Sequence, residues 1–146
     1  MSEPTSPSSE RNAPWHLWVV GILALLWNGS GAYTIMMAQA GKLADLGADE
    51  AAYYAAQPLW FPIVTDIALL SAIAAAVALL LRNRAAVWLF AVSLIAIVIT
   101  NSYDLIAGTS RVYATTGALI VTIIIAVIAL LELLYARAMR KRALLR

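Results

Sequence analysis

The chain has 146 residues, 63% of them hydrophobic and 12% charged, with a formal net charge of +2. Soluble domains carry about 25% charged residues, so a water-soluble core of this length is excluded and lipid is the expected solvent. Cysteine is absent and His16 is the single histidine, which excludes disulfides, thiolate nucleophiles and Cys- or His-rich metal sites.

Residues 1–13 are polar, with Ser, Pro and Glu throughout, and read as a disordered cytoplasmic N-terminus. Four apolar segments follow, at about 15–37, 61–81, 85–106 and 113–135; each is long enough to cross a bilayer as a helix rising ~1.5 Å per residue. The expected fold is all-α, a four-helix antiparallel transmembrane bundle over 14–136, followed by a basic cytoplasmic tail over 137–146. Two very short connections make the last three helices antiparallel neighbours.

In lipid, small and weakly polar residues mark helix contacts, because lipid tails are as apolar as leucine. The first segment carries Gly21, Ala24, Asn28 and Gly31 as such a stripe. Gly29-Ser30-Gly31 lies inside this apolar helix, so it reads as a site of close packing or a slight kink rather than a phosphate loop. Ala38-Gln39-Ala40 looks like a signal-peptide cleavage site. However, the leader is acidic, and the apolar run exceeds the usual ~7–15 residues, so an uncleaved anchor is expected.

The connection from Ala38 to Trp60 carries Lys42, Asp45, Asp49 and Glu50. Asp49 is expected to cap a short helix through Gln57, with Glu50 in its first turn and Pro58 as its stop. Tyr53 and Tyr54 would lie at headgroup depth. Pro62 suits the first turn of the second membrane helix, where its missing N–H costs nothing.

That second helix presents Ala68, Ser71, Ala72, Ala75 and Ala78 on one broad face. Asp66 falls on the Leu70, Ile73 and Val77 side instead. The Arg82–Arg84 turn is basic. The third helix carries Ser93, Ile97, Thr100, Asn101 and Asp104 on one stripe, and Asp104 is placed to pair with Arg111 across the next turn. The fourth carries a seam of Thr115, Ala118, Thr122, Ile125, Ala129, Glu132 and Ala136. Glu132 is expected to form a structural ion pair with Arg82 or Arg84.

Eight of the ten Lys and Arg residues lie on the side of the termini and the Arg82–Arg84 turn. The positive-inside bias then places both termini in the cytoplasm of a bacterial inner membrane. Trp15 and Trp18 mark the inner boundary, and Trp60 and Phe61 the outer one. The tail attracts anionic lipid headgroups at about 1 kcal/mol per basic residue. Nucleic acid is not an expected partner.

Intramembrane polar groups are costly and are functional candidates by default. Asn28, Asp66, Asn101 and Asp104 fall in the outer half and are the ligand-binding candidates. No catalytic constellation is visible, since His16 lies far from both aspartates, and no cofactor or metal is expected. The chain therefore reads first as a non-enzymatic structural or accessory membrane component. The alternative is a small transporter or ligand-binding protein that uses the outer-half cluster. Four helices enclose little volume, so that alternative expects a homo-oligomer or a larger complex.

The run Pro14-Trp15-His16-Leu17-Trp18-Val19-Val20-Gly21, with Leu25-Leu26-Trp27-Asn28, Gly31-Ala32-Tyr33 and the closing Tyr135-Ala136-Arg137-Ala138-Met139-Arg140, resembles a family of small bacterial inner-membrane proteins. The resemblance implies a four-helix membrane protein of Gram-negative bacteria. Some members are labelled sugar transporters, but the family supplies no catalytic residues. The chain departs from the pattern in having Thr34 where an acid is expected, and an alanine-rich second helix with Asp66 where Gly and Trp are expected. Small multidrug transporters are similar only in size, because their essential first-helix glutamate has no counterpart beside Asn28.

Overall fold

The computed structural model describes residues 14–42, 47–107 and 116–145. The N-terminal stretch 1–13, Arg111 and Thr115 lie outside these residues. The helices are α1 (Trp15–Gln39), α2 (Ala48–Ala56), α3 (Trp60–Leu80), α4 (Ala85–Ala107) and α5 (Thr116–Lys141), and the described residues contain no strand. The helices α1, α3 and α4 and the stretch Ile120–Lys141 of α5 are each long and apolar enough to cross a membrane. The chain is a multi-pass, four-helix membrane bundle.

Leu23, Leu70, Ile95, Ile123 and Leu131 face outward, while Ala24, Ala68, Ala72, Ala75, Ala96 and Ala129 are buried. This inverts the soluble pattern, as expected where lipid takes the large side chains and close backbone approach rewards the small ones. The most extensive packing is between α3 and α4, followed by α1 with α3 and α4 with α5. At Gly21 the fit is tight. A Cβ there would lie 2.5 Å from Leu80 Cδ2 and 2.8 Å from Leu80 Cγ.

Three helices end in the same way, with a left-handed residue that lets two N–H groups turn back on the last carbonyls. Gly41 ends α1 at φ 64°, with Gly41 N bonded to Ala38 O and Lys42 N to Met37 O. Arg82 ends α3 at φ 58° and Ala143 ends α5 at φ 56°. Neither is glycine, and each carries the steric cost of a Cβ in that region, about 1–2 kcal/mol. The two strained turns meet. Arg82 Nε donates to Leu144 O at 3.0 Å, and Arg84 Nε donates to Leu145 O at 3.4 Å.

The C-terminal region therefore differs from a free basic tail. The helix α5 runs on through Arg137, Arg140 and Lys141, because Ala-Arg-Ala-Met-Arg-Lys has high helix propensity. The chain then hooks back, burying Leu144 and Leu145 against Leu17, Leu79, Phe90 and Met139. The bundle end that holds this hook, the start of α1 and the α3–α4 turn is called the terminal end below, and the opposite one the α2 end.

One local expectation is corrected. The short helix starts after Gly47, not at Asp49, which lies within its first turn. Extended backbone at Gly47 suits an N-cap, and Gly serves there nearly as well as a side-chain cap. Phe61 is buried and packs with Trp60 and Tyr103 in an aromatic cluster.

Candidate functional site

The α1 and α5 backbones scarcely approach one another among the described residues. Side-chain bonds join them instead. The Tyr135 hydroxyl and His16 Nδ1 share a hydrogen bond of 2.6 Å. Further toward the α2 end of α1, Asn28 Nδ2 donates to Glu132 Oε1 at 2.9 Å and to Ala24 O at 2.9 Å. The hook fills the space at the terminal end. Among the described residues nothing equivalent fills it at the α2 end, and a partly enclosed cavity of about 870 Å³ opens there.

All five helices line the cavity. From α1 come Trp27, Asn28, Gly31 and Thr34; from α2, Tyr53 and Tyr54, with Gln57 just past its end; from α3, Phe61, Thr65 and Leu69; from α5, Val121, Thr122 and Ile125. The wall from α4 is the predicted polar stripe itself: Ser93, Ile97, Thr100, Asn101 and Asp104. That stripe was expected to make helix contacts. It does so only in part, since Ser93 and Thr100 are buried while Asn101 and Asp104 are half-buried beside the cavity. Gly31 likewise belongs to the cavity wall. A Cβ at Gly31 or at Gly29 would meet no atom within 4 Å, so neither glycine serves the close packing expected of it.

Three threonine hydroxyls of the wall are turned back onto their own helices. Thr34 Oγ1 donates to Ser30 O, Thr65 Oγ1 to Phe61 O, and Thr100 Oγ1 to Ala96 O. Their remaining capacity is as acceptors. Both hydrogens of Asn28 Nδ2 are committed, which leaves Oδ1 as the uncommitted atom of that amide.

Over the mouth, α2 is held by its buried Tyr53, whose hydroxyl donates to Asp104 Oδ2 at 3.0 Å. Tyr53 thus turns inward, toward α4. A Tyr53→Phe substitution is expected to loosen α2 by about 1 kcal/mol, the net worth of one hydrogen bond. Hydrogen exchange of the α2 amides should then run about fivefold faster, with the α3 and α4 amides unchanged. Unchanged exchange in α2 would show that this bond does not hold the helix.

Of the four ligand candidates, the structure brings Asn28, Asn101 and Asp104 to one cavity and leaves Asp66 out. Asp66 is half-buried on α3, and its Oδ1 is buried with no hydrogen-bond partner. Its place on the helix, off the alanine face, keeps it from that cavity. The expected ion pair of Glu132 with Arg82 or Arg84 is replaced. Glu132 bonds Asn28, and the two arginines turn to the carbonyls of the C-terminal hook. Arg111, the expected partner of Asp104, lies outside the described residues.

Sequence reasoning missed the His16–Tyr135 bond, the roles of Tyr53 and Gln57, and the whole hook. Tyr53 carried a signal in retrospect, being the aromatic nearest the middle of a short amphipathic helix beside a membrane carboxylate. No protein-family model, curated protein or solved structure matches the chain.

Proposed function

We propose that this chain is a ligand-binding protein of a bacterial inner membrane, with both termini cytoplasmic and the α2 end facing out. The observation that carries the reading is the cavity of about 870 Å³ lined by all five helices, with amides and hydroxyls set in apolar walls. Ligand sites are concave, mostly apolar and furnished with a few placed polar groups, within about 300–1,000 Å³. The orientation rests on the eight of ten Lys and Arg residues that gather at the terminal end or in the N-terminal stretch. The membership suggested by the first-helix run, in a family of small inner-membrane proteins, belongs to the same proposal.

Binding or passage, rather than catalysis, is the proposed activity. The cavity carboxylate of Asp104 is held by Tyr53, and His16 lies at the other end of α1. The exposed Arg137, Arg140, Lys141 and Arg142 at the terminal end are the proposed contact for anionic headgroups. A scaffold role is the second reading. It is favoured by Asn28–Glu132 and Tyr53–Asp104, both of which join one helix to another.

The natural absence of cysteine gives a clean test. A thiol reacts as thiolate and is inert in hydrocarbon, so Asn101→Cys in the cavity should react with a membrane-permeant maleimide about tenfold faster than Ile99→Cys on the lipid face. Equal rates would close the cavity and leave the scaffold reading. Lys42→Cys should react with an impermeant maleimide added to intact cells. Reaction only after lysis would reverse the orientation.

A further inference from the structure

We propose that the cavity takes up one acyl chain of a membrane lipid, which enters sideways from the bilayer between α1 and α5. This inference rests on the ligand-binding reading above. It names the occupant by its chain and not by the charge of its head.

Dimensions are the first argument. The lining runs from Ser93 to Leu105 on α4 and from Trp27 to Gln39 on α1. At ~1.5 Å of rise per residue, each run is about 18 Å long. The hydrocarbon core of a bilayer is ~30 Å thick, so the cavity is about as deep as one leaflet. An extended acyl chain has that reach, whereas a compact polar solute would occupy only part of it.

The chemistry along this length is the second argument. Polar side chains gather toward the α2 end, where Gln39, Gln57, Asn101 and Asp104 line the cavity. Deeper in, the wall is made by Trp27, Ala68, Leu69, Ile97 and Ile125. The donors of three polar residues in the wall are already engaged. Thr65 and Thr100 donate to carbonyls of their own helices, and Asn28 spends both amide hydrogens on Ala24 and Glu132. Hydrocarbon laid against them strands none of these donors. The head of the lipid stays at the polar mouth, in reach of water.

Access is the third. The helix α3 packs against α4, α1 against α3, and α5 against α4, so the side between α1 and α5 is the one without close backbone packing among the described residues. The Asn28–Glu132 and His16–Tyr135 bonds cross that side from the half of α5 nearer the terminal end. Trp27 on α1 and Val121 and Ile125 on α5 line the cavity and are also exposed on the outer surface. A side chain that does both borders an opening, and in a bilayer that opening faces lipid.

The test uses the full chain in lipid nanodiscs. Phosphatidylcholine, phosphatidylglycerol and diacylglycerol are added singly as trace probes, each with the same diazirine-bearing acyl chain, and adducts are mapped by mass spectrometry. The expected result is labelling of Ile97 and Leu69 inside the cavity, beside labelling of Ile95 on the outer face. Adducts from any of the three probes support the assignment, and the strongest identifies the head. At Gly31 a Cβ meets no atom within 4 Å. Gly31→Leu should therefore fill the cavity and cut labelling of Ile97 and Leu69 about tenfold, with Ile95 unchanged. Gly29→Leu has the same open surroundings but lies off the cavity, and should label like the parent.

No adduct at Ile97 or Leu69 from any probe would overturn the assignment, as would cavity labelling that persists in Gly31→Leu. Equal loss in Gly29→Leu and Gly31→Leu would show damage to α1 in place of a filled site, and would overturn it too. The maleimide comparison separates this failure from that of the ligand-binding reading. With no cavity adduct, faster reaction of Asn101→Cys than of Ile99→Cys leaves a ligand site that takes a solute from the α2 end. Equal rates there would overturn both.

Discussion

Removing residues 144–146 is expected to lower the unfolding free energy of the bundle by about 4 kcal/mol, since cutting back one closely packed leucine costs about 2–5 kcal/mol in lost contacts and cavity. Leu144 and Leu145 are 6% and 2% exposed and share one cluster with Leu17, Leu79 and Phe90. These residues come from α1, α3 and α4, so the hook ties three helices to the end of α5. Its loss also takes the acceptors from Arg82 Nε and Arg84 Nε. Unfolding by SDS titration in mixed micelles should show an earlier midpoint for the truncated chain. Leu145→Ala should give part of the shift, about 2–3 kcal/mol. A truncated chain as stable as the parent would mean that the two leucines are not held in the bundle.

Gly21→Leu is expected to cost about 2–3 kcal/mol by the same measurement, at the upper range for overpacking a tight contact. The first added carbon already falls within 2.8 Å of two Leu80 atoms. Leu80 must turn away, or α1 must move off α3. Movement of α1 would also stretch the Asn28–Glu132 and His16–Tyr135 bonds, which are what join it to α5. The effect should be specific to one contact. Combining Gly21→Ala with Leu80→Ala should recover most of what Gly21→Ala loses, giving a coupling energy of about 1 kcal/mol or more. Additive losses would place the clash elsewhere.

The spans were legible because they depend on composition along the chain. Twenty-odd mainly apolar residues with at most one acid among them have few alternatives in water, and their ends needed only adjustment. Gln39 replaces Met37 at the end of α1, and Lys141 replaces Tyr135 at the end of α5. The polar stripe of α4 was legible too, since helical spacing alone places Ser93, Ile97, Thr100, Asn101 and Asp104 together. The use of that stripe was not. A row of small and polar residues looks the same whether a neighbouring helix touches it or stands off from it. Gly21 and Gly31 make the point within one helix: the first is pressed against Leu80, and the second faces open space.

Pairing of the ionisable groups was the least legible feature. Glu132 was matched to Arg82 or Arg84 because opposite charges at one end of a bundle attract. The structure instead gives Glu132 the Asn28 amide and gives the arginines the carbonyls of residues 144 and 145. Which acceptor an arginine finds depends on where the chain turns after α5, and that turn hangs on Ala143 adopting a left-handed conformation that no residue preference foretells.

By itself, then, the sequence determined the solvent, the number of crossings and the common side of the two termini. These follow from the local cost of placing apolar or charged groups in water or lipid. The tertiary structure alone decided that α1 and α5 scarcely approach one another, that Asp104 and Asn101 share a cavity from which Asp66 is excluded, and that Leu144 and Leu145 pack into the other end. Those outcomes turn on the angle and rotation of one helix against another, which many weak contacts set jointly and no single stretch of sequence contains.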